Sequence, residues 1–515
     1  MRRNKPINPN SKARKFMAKH ILAVDGGTTS VRSLLLDDKF EIIDVAQKEI
    51  TQHYPRPGWI EHNPEELVAF QLETMRAVLR NNGVHPSDVH AVSITNQRET
   101  ALVWDRVTGE PVYNAIVWAS RQSNDVIEKW RDQGLDPIIR EKTGLISDAY
   151  YSASKIAWIL DNVKGARERA ERGELMAGTV DSWLIYNFTG KQRFVTDVSN
   201  ASRTQMFNLS TLDWDDELLA AYGIPRTMLA EIQPSDGDFG DLSASFGTAI
   251  PIASVMGDQQ ASLFGQAAFE QGQTKMTYGT SGVIVMNAGD KPKLVEGVVS
   301  STAWQAQGTP VYEIEGTVFS MGQTMKWLRD ELKIIHDAKD SEWYGGQVGS
   351  THGVYLVPAF TGLAAPHWDP YARASIVGIS NATTRLHVIR AAVESMAFQT
   401  RDLVDATLTD KDLQIPDLRV DGGAVNNNML CQLQADILGI PVIRPKVTEA
   451  TALGAAWLAG MSTGILDGFD QVADLWKVDR TFEPQISEDQ REEMYDGWKL
   501  AVEGSKGWAK KVRTV

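Results

Sequence analysis

Short apolar runs separated by turn residues fill the start of the chain. HILAVD, VRSLLLDD and FEIIDVAQKEI are each bounded by glycine or charged residues, and runs of this length and composition predict β-strands. Gly26 and Gly27 separate the first two runs, so the chain is expected to turn back there. The sequence therefore predicts three successive strands in an antiparallel meander.

A helical period follows in HNPEELVAFQLETMRAVLRNNG. Asn63 is a suitable N-cap, Pro64 suits the first helical position, and apolar residues then recur on one side until Gly83. The next runs are HAVSIT, a predicted buried strand, and TALVWDRVTGEPVYNAIVW, a predicted hairpin around Thr108 and Gly109. Strands and helices are therefore mixed from the start of the chain.

A comparable order returns downstream. TKMTYGTSGVIVMNAG predicts strand, tight turn and strand, and PVYEIEG, MGQTMKWLRDEL and GVYLVP then predict strand, helix and strand. Later elements alternate: a helix near Leu386 to Leu408, the strand LRVD, a helix from Asn427, the strand PVIRP and the helix ATALGAAWLAG. Alternation favours an α/β fold with helices on the faces of a sheet. We place a domain boundary near Gly265.

Length and composition narrow the function. The chain has 515 residues, more than one core usually supports, so we expect two domains. No apolar run is long enough to span a bilayer, which argues against membrane insertion. A net charge of -14 argues against nucleic acid as the main partner. The single Cys431 excludes an internal disulfide and fits a cytoplasmic protein.

The first twenty residues carry seven Lys or Arg and no acid. This segment lacks the apolar core of a secretory signal and a clear amphipathic period. We therefore predict that residues 1–19 form a disordered basic tail, and we assign them no function.

The first strand-to-strand turn, DGGTTSVR, has the residues of a phosphate-binding loop. Its glycines let backbone N–H groups approach phosphate oxygens, and no lysine follows as it would in a Walker loop. The candidate side-chain donors are Thr28, Thr29, Ser30 and Arg32. Asp25 would face the polyphosphate, which is reasonable when Mg²⁺ lies between them, usually through water. A glycine-rich hairpin with a capping Asp is the alternative.

Two later turns point to the same chemistry. In TYGTSG, Thr280 is a candidate donor to a phosphate. In VDGGAVNNN a strand and two glycines precede a helix start, so Gly423 would let a nucleotide approach the backbone, and Asn427 would cap the helix or contact the nucleotide. Ordinary turns are the alternative for each loop alone. Three such loops distributed over both halves of the chain favour a nucleotide site.

Two further stretches suit a hydroxyl substrate. In ASVMGDQQASLFGQ, Asp258 and Gln259 stand at a predicted helix start, where a carboxylate can take the proton of a hydroxyl during phosphoryl transfer. In ITNQRETALVW, Arg98 and Glu99 place a donor fork beside an acceptor, a combination that suits adjacent hydroxyls of a polyol. An Asp N-cap and a surface ion pair are the respective alternatives.

The order DGGTTSVR, GDQQASLFGQ, TYGTSG and VDGGAVNNN resembles the FGGY carbohydrate kinases. YYSASKIAWILDN and ASIVGISNATTRLHVIRAAVES match two signatures of that family. The resemblance extends from residue 20 to about 465 and is greatest to members that phosphorylate glycerol, as in YPRPGWIEHNP and VPAFTGLAAPHWDPYARA. It implies two actin-like (ribonuclease-H-like) domains with an interdomain ATP cleft. Residues 20–265 would bind polyol and phosphate, and residues 266–515 would bind the nucleotide.

The resemblance also implies the reaction. ATP, with Mg²⁺, would phosphorylate glycerol to sn-glycerol 3-phosphate, the first step of glycerol utilisation. The expected assembly is a homo-oligomer, a dimer or tetramer. Asp258 would be the general base, and Asp25 and Asp258 would attend the metal. The implied polyol contacts are Arg98, Glu99, Trp118, Tyr150, Asp258 and Gln259. The implied nucleotide contacts are Thr28, Thr29, Ser30, Arg32, Thr280, Gly322, Gly423 and Asn427.

The chain departs from the family pattern at three places. Val283 stands where the family has a Phe that lines glycerol, and Lys326 stands where it has a Gln beside adenine. LSASFGTAIPI lacks the Arg of a loop that binds fructose 1,6-bisphosphate in relatives, so we predict no inhibition by that sugar. A kinase for erythritol, xylulose or dihydroxyacetone therefore stays open, as does a non-kinase actin-like ATPase.

Overall fold

The computed structural model describes residues 20–512, so the prediction for residues 1–19 lies outside the described residues. The chain folds into two compact units. The first comprises residues 20–265, 301–310 and 451–475, and the second comprises residues 266–300, 311–450 and 476–512. The first long stretch ends at Gly265, where the sequence places the boundary. The contiguous division needs correction, because 301–310 and 451–475, predicted in the second domain, belong to the first unit.

Strands occur throughout the described residues. They are β1 His20–Gly26, β2 Ser30–Leu36, β3 Ile42–Glu49, β4 Glu61–His62, β5 Val89–Asn96, β6 Leu102–Asp105, β7 Ala115–Ile116, β8 Leu175–Gly178, β9 Val195–Asp197, β10 Phe207–Asn208, β11 Asp213–Trp214, β12 Glu231–Gln233, β13 Ile252–Gly257, β14 Thr274–Tyr278, β15 Gly282–Gly289, β16 Val299–Ala306, β17 Thr309–Val318, β18 Tyr355–Val357, β19 Ser375–Val377, β20 Leu418–Asp421, β21 Val442–Pro445 and β22 Val478–Phe482.

Helices alternate with these strands. They are α1 Pro64–Asn81, α2 Asn124–Asp132, α3 Asp136–Thr143, α4 Ser152–Asn162, α5 Ala166–Glu171, α6 Val180–Phe188, α7 Val198–Ala201, α8 Asp216–Tyr222, α9 Ser243–Phe246, α10 Asp258–Gly265, α11 Gly322–Asp330, α12 Asp340–Gly345, α13 Arg385–Thr407, α14 Asn428–Leu438, α15 Ala450–Thr463, α16 Phe469–Leu475, α17 Glu488–Ser505 and α18 Trp508–Lys511. Short 3₁₀ turns span Pro86–Asp88, Arg226–Met228 and Gly423–Asn426. The mixed α/β prediction is confirmed.

A five-stranded sheet organises the first unit, in the order β13-β5-β1-β2-β3. β1, β2 and β3 pair antiparallel, so the predicted meander is confirmed. β1 and β13 each pair parallel with β5, and Gly26, Asn96 and Gly257 lie in register. The carboxyl ends of three parallel strands therefore lie side by side at one edge of the sheet.

The core of this unit lies where the sheet meets α1 and α6. Leu22, Val92 and Val255 of the central strands pack in one cluster with Met75 of α1 and Trp183 of α6. By contrast, the edge strand β3 alternates half-buried and exposed residues, as expected where one face meets solvent. Strand burial therefore follows the sequence pattern: continuous apolar runs become central strands, and the alternating run becomes the edge.

The cap of α1 forms as predicted. The side chain of Asn63 accepts a hydrogen bond from the backbone N–H of Glu65, and Pro64 occupies the first position. An N-cap of this kind is worth about 1 kcal/mol of stability. It fixes where the helix begins, directly after β4.

A seven-stranded sheet contains the main strands of the second unit, in the order β16-β17-β15-β14-β20-β21-β22. β14 and β15 form the predicted hairpin, and β14, β20 and β21 run parallel. The helix predicted near Leu386 to Leu408 is α13, and the helix predicted from Asn427 is α14, which Asn427 caps. These predictions are confirmed.

The predicted hairpin around Thr108 and Gly109 forms only in part. The chain turns there, with Gly109 at a φ of 73°, and two isolated antiparallel bridges join the arms, Trp104 to Pro111 and Ala101 to Ile116. β6 pairs along its whole length with β8. Two backbone hydrogen bonds also hold the arms of the turn together, from the N–H of Val112 to Val103 O and from the N–H of Asp105 to Glu110 O, each at 2.9 Å.

Candidate functional site

Three segments with predicted functional residues leave the same sheet edge in the first unit. β1 leads into the DGGTTSVR loop, β5 into Gln97, Arg98 and Glu99, and β13 directly into Asp258 at the start of α10. Because the ends of the three strands are in register, these segments are neighbours. Ligands of α/β sheets bind at such carboxyl ends.

Arg98 lies between two carboxylates. Its Nε is 3.2 Å from Asp258 Oδ1 and 3.8 Å from Glu99 Oε1. The side chains of Arg98 and Glu99 are each only 2% exposed, whereas Asp258 keeps 32%. The surface ion pair considered for Arg98 and Glu99 is therefore wrong. Burying such charges is costly unless they are paired, so this arrangement is held by its ionic contacts.

A second arginine, Arg203, holds Glu99 from the other side. Its Nε donates to Glu99 Oε1 at 2.6 Å, and its side chain is 1% exposed. The same guanidinium lies over the rings of Tyr150 and Tyr151, at 5.9 and 5.5 Å from their centres. Arg203 thus connects two of the predicted polyol residues, Glu99 and Tyr150, and it was not itself predicted as a site residue.

The backbone at this edge is strained and tightly packed. Glu99 has a φ of 58°, a left-handed conformation that costs roughly 1 kcal/mol for a residue with a side chain. A Cβ at Gly257 would lie 2.7 Å from Arg98 Cδ, so the residue before Asp258 must be glycine for Arg98 to reach that carboxylate. Strain of this kind concentrates at functional sites.

Aromatic side chains border the charged groups. The rings of Trp118 and Tyr150 pack edge to face with centres 5.5 Å apart. Gln259 is half-buried, and its N–H donates to Asp258 Oδ1 at 2.7 Å. All the predicted polyol residues lie in the first unit. Contacts link Arg98, Glu99, Asp258 and Gln259, the rings of Trp118 and Tyr150 pack together, and Arg203 contacts both Glu99 and Tyr150.

The predicted phosphate loop is a turn between β1 and β2. Asp25 and Arg32 are cross-strand partners, and Arg32 donates to Asp25 Oδ2 from Nη2 at 2.6 Å and from Nε at 3.1 Å. Thr28 and Ser30 are half-buried and Thr29 is exposed. The residue assigned to the metal and an arginine assigned to the nucleotide are thus paired with each other.

Buried polar side chains support this loop from beneath. Gln97 Nε2 donates to Gly27 O at 3.0 Å, and Gln52 Nε2 donates to Thr28 O at 2.9 Å. His62 Nε2 lies 3.0 Å from Gln52 Oε1. Burial, and then the nearby His53, lower the pKa of His62 to about 4, so this histidine is neutral at neutral pH. None of the three was predicted from sequence as a site residue, although His62 lies in YPRPGWIEHNP and Gln97 in ITNQRET.

Lys155 of α4 was also missed. It is fully buried, and its Nζ donates to the carbonyl oxygens of Ala149, Tyr150 and Tyr151 at 2.6, 2.6 and 3.0 Å. Burial lowers the pKa of Lys155 to about 7, although Glu99 and then Asp148 act in the opposite direction. This lysine fixes the segment that carries Tyr150.

In the second unit, Thr280 lies in the turn of the β14–β15 hairpin. Its carbonyl accepts from the N–H groups of Met321 and Gln323, at 3.0 and 3.1 Å. Gly322 begins α11 and donates its N–H to Gly279 O at 2.9 Å, and a Cβ at Gly322 would lie 2.7 Å from that oxygen. The structure therefore brings Thr280 and Gly322 together.

The turn after β20 carries Gly423 and Asn427. A Cβ at Gly423 would meet no described atom within 4 Å, so space is open beside its backbone. Asn427 Oδ1 accepts from the N–H of Leu430, and its amide donates to Ser341 Oγ, so capping is its role in the structure. Asp421 accepts from Gln266 Nε2 at 3.1 Å, which agrees with a structural role.

Within residues 20–512, no group of three or more His, Cys, Asp or Glu side chains is placed to hold a metal ion. Mg²⁺ usually takes only one or two protein carboxylates together with substrate phosphates and water. Asp25 and Asp258 are the predicted carboxylates, and both stand at the sheet edge of the first unit. That donor set fits Mg²⁺ carried by a nucleotide.

The comparisons with known proteins decide the family. Residues 20–265 match the model of the N-terminal domain of the FGGY family of carbohydrate kinases, and residues 274–463 match that of its C-terminal domain. The chain belongs to the FGGY family of carbohydrate kinases. The predicted kinase class and the predicted fold of two actin-like domains are confirmed by these matches and the structural similarity that follows.

Named relatives of this FGGY kinase cover it almost entirely. It is 50% identical to glycerol kinase 2 of Thermotoga maritima over 495 residues, 96% of this chain and 100% of the relative. It is also 50% identical to glycerol kinase of Carboxydothermus hydrogenoformans over 95% of this chain and 99% of the relative. The crystal structure of Plasmodium falciparum glycerol kinase with ADP superposes with a TM-score of 0.90 at 33% identity, covering 94% of this chain and 98% of that one.

A membrane-crossing helix must be both long and apolar. Between residues 20 and 512, no helix of this FGGY kinase meets both conditions.

Proposed function

We propose that this FGGY kinase transfers the γ-phosphoryl group of ATP to a terminal hydroxyl of glycerol, giving sn-glycerol 3-phosphate. The observation that carries the proposal is the 50% identity, over nearly full length, to relatives named glycerol kinase. The buried Arg98 between Glu99 and Asp258 supports it, because a donor fork flanked by acceptors matches the adjacent hydroxyls of a small polyol.

Asp258 is the proposed general base. A third of its side chain is exposed, while Arg98 and the N–H of Gln259 hold its Oδ1 in place. A carboxylate fixed in this way can accept the hydroxyl proton as the oxygen attacks phosphorus. Arg98, Glu99 and Gln259 would bind the hydroxyls, and the rings of Trp118 and Tyr150 would pack against the carbon chain.

The phosphate groups of ATP are assigned to the DGGTTSVR loop. Thr28, Thr29 and Ser30 would donate from hydroxyls, and Arg32 from its guanidinium. Asp25 and Asp258 would hold Mg²⁺ together with the phosphates and water. When bound, Mg²⁺ would offset the negative charge that the phosphate oxygens carry during transfer.

The nucleotide contacts proposed for the second unit are Thr280, Gly322, Gly423 and Asn427. The assignment of Gly322 is supported by its close approach to the hairpin turn, and that of Gly423 by the open space beside its backbone. Thr280 would donate its hydroxyl to phosphate. Because the Oδ1 of Asn427 caps α14, only its amide group would face a nucleotide.

A larger polyol is a second candidate substrate, and Val283 is the observation that favours it. This residue is 9% exposed on β15, where it pairs with Thr277 and Thr317. A valine is smaller than the phenylalanine of the family pattern and would leave more room for substrate. A coupled assay with glycerol, dihydroxyacetone, erythritol and xylulose decides between them. Glycerol should give the highest kcat/KM, and a higher value for another compound would make that compound the preferred substrate.

Two further assignments belong to this proposal. We place the enzyme in the cytoplasm, where ATP is abundant and its single Cys431 stays reduced. We also keep two predictions made from the sequence. Fructose 1,6-bisphosphate does not inhibit the enzyme, and the enzyme is a dimer or tetramer. Activity measured with the sugar bisphosphate tests the first, and light scattering tests the second.

A further inference from the structure

Trp118 contacts the phosphate loop as well as the polyol residues. Its ring packs edge to face on Tyr150, and its indole Nε1 donates a hydrogen bond to Thr28 Oγ1 at 2.9 Å. One side chain therefore contacts a residue assigned to the polyol and a residue assigned to phosphate.

The direction of this hydrogen bond is fixed by chemistry. An indole N–H can only donate, so the Thr28 hydroxyl must be the acceptor. A hydroxyl has one proton and two lone pairs. When Trp118 occupies a lone pair of Thr28, the hydroxyl proton points elsewhere and is available for an acceptor such as a phosphate oxygen.

The backbone of Trp118 is tied to the same loop by a second route. Its N–H donates to Thr100 Oγ1 at 3.1 Å, and the Thr100 hydroxyl donates to Gln97 Oε1 at 2.7 Å. Gln97 Nε2 then donates to Gly27 O at 3.0 Å. Thr100 and Gln97 are 0% and 1% exposed. These hydrogen bonds form a circuit that runs from Gly27 through Gln97, Thr100 and Trp118 to Thr28, and the peptide bond between Gly27 and Thr28 closes it.

We propose that Trp118 is a positioning residue for the phosphate loop: its indole N–H sets the Thr28 hydroxyl as a donor to ATP, in addition to its packing role toward the polyol. The inference rests on the proposed use of ATP by this loop. It assigns Gln97 and Thr100 the supporting task of holding Trp118 at a constant distance from Gly27.

The test is a double-mutant cycle read in the absence of any polyol. The imido analogue of ATP, AMPPNP, with Mg²⁺ is titrated by calorimetry into wild type, Trp118→Phe, Thr28→Val and the double variant. Phe keeps an aromatic ring but loses the N–H, and Val keeps the shape of Thr but loses the hydroxyl. One lost hydrogen bond of this kind corresponds to a drop in affinity of about 3- to 10-fold.

We expect Trp118→Phe and Thr28→Val each to weaken AMPPNP binding by about 3- to 10-fold, and the double variant to bind no worse than Thr28→Val. In a Thr28→Ser background, which keeps the hydroxyl, Trp118→Phe should weaken binding by the same factor as in wild type. Unchanged thermal midpoints serve as the folding control. Thr100→Val removes the hydrogen bonds of the Thr100 hydroxyl and leaves the side chains of Trp118 and Thr28 unchanged. It should therefore cause a smaller loss of AMPPNP affinity than Trp118→Phe.

Two outcomes would overturn the inference: Trp118→Phe that binds AMPPNP as wild type does, or a double variant whose loss equals the product of the two single losses. A role in polyol packing alone predicts a raised glycerol KM with AMPPNP affinity unchanged. The proposed function fails differently, through wild-type protein that does not bind AMPPNP or that does not phosphorylate glycerol.

Discussion

The candidate polyol residues of the first unit are held in place by ion pairs between charged side chains. The candidate nucleotide residues of the second unit lie in turns held by backbone hydrogen bonds, and two of them are glycines. Arg98, Glu99 and Arg203 are buried and paired with one another or with Asp258. Gly322 and Gly423 contribute close approach and open space instead.

The difference follows from the ligands. A polyol is small, neutral and flexible, so its hydroxyls are recognised only by donors and acceptors with fixed directions. A nucleotide offers a flat base and charged phosphates, which backbone N–H groups and small residues can approach closely. We therefore expect substitutions of the polyol residues of the first unit to act mainly on polyol turnover, and those of the nucleotide residues of the second unit mainly on ATP affinity.

The largest effect is expected at Asp258. Asp258→Asn keeps the shape of the side chain but cannot accept the proton, so kcat should fall about 10²- to 10⁴-fold while the glycerol KM changes far less. Steady-state kinetics with glycerol as the varied substrate measure this. If the variant retained the wild-type kcat, Asp258 would not be the general base.

Arg203 comes next. Arg203→Met removes the 2.6 Å ion pair with the buried Glu99, and we expect kcat/KM for glycerol to fall about 100-fold, with a loss of about 3–5 kcal/mol in the free energy of unfolding. Arg203→Lys, which keeps the charge, should recover part of both. Arg172→Met breaks the exposed pair with Glu174 and should change neither. Equal behaviour of Arg203→Met and Arg172→Met would contradict the account.

Asp258 and Arg203 show which site residues could be predicted from sequence and which could not. Asp258, Arg98 and the DGGTTSVR loop were found because each lies within a short motif after a strand. Arg203 is 104 positions from Glu99, and its importance comes from tertiary packing that no local pattern reports. Lys155 was overlooked because a lysine among apolar helix residues looks like a surface residue.

The fold was predictable to a similar extent. The β1–β3 meander, the Asn63 cap and the β14–β15 hairpin depend on local turn and capping chemistry. The pairing of β6 with β8 joins segments about seventy residues apart, and so does not follow from either segment alone. The assignment of residues 301–310 and 451–475 to the first unit likewise depends on long-range contacts.

Gly423 tests the second unit. A Cβ there meets no described atom within 4 Å, so Gly423→Ala should leave the thermal midpoint unchanged. If a nucleotide packs on this backbone, the added methyl would overpack the contact and raise the ATP KM about tenfold, without changing the glycerol KM. Gly349→Ala, another glycine of this unit with open space around it, is the matched control and should alter nothing. An unchanged ATP KM in Gly423→Ala would place the nucleotide elsewhere.

For Lys155 we expect an effect on stability and not on activity. Its folded-state pKa of about 7 lies below its unfolded value of 10.5, so between these pH values the unfolded chain binds one proton more. Stability should therefore rise with pH above 7, by up to about 1.4 kcal/mol per pH unit for this one group. Urea unfolding at pH 7 and pH 9 measures the change, and Lys155→Met should lack this component. An identical pH dependence in both proteins would contradict the lowered pKa.

The most direct test of the central claim is the dependence of ATP turnover on glycerol, with ADP and sn-glycerol 3-phosphate quantified together by ³¹P NMR. We predict that ADP forms rapidly only when glycerol is present, and that one sn-glycerol 3-phosphate appears for each ADP. Equal ADP formation with and without glycerol, with no phosphorylated glycerol, would contradict it.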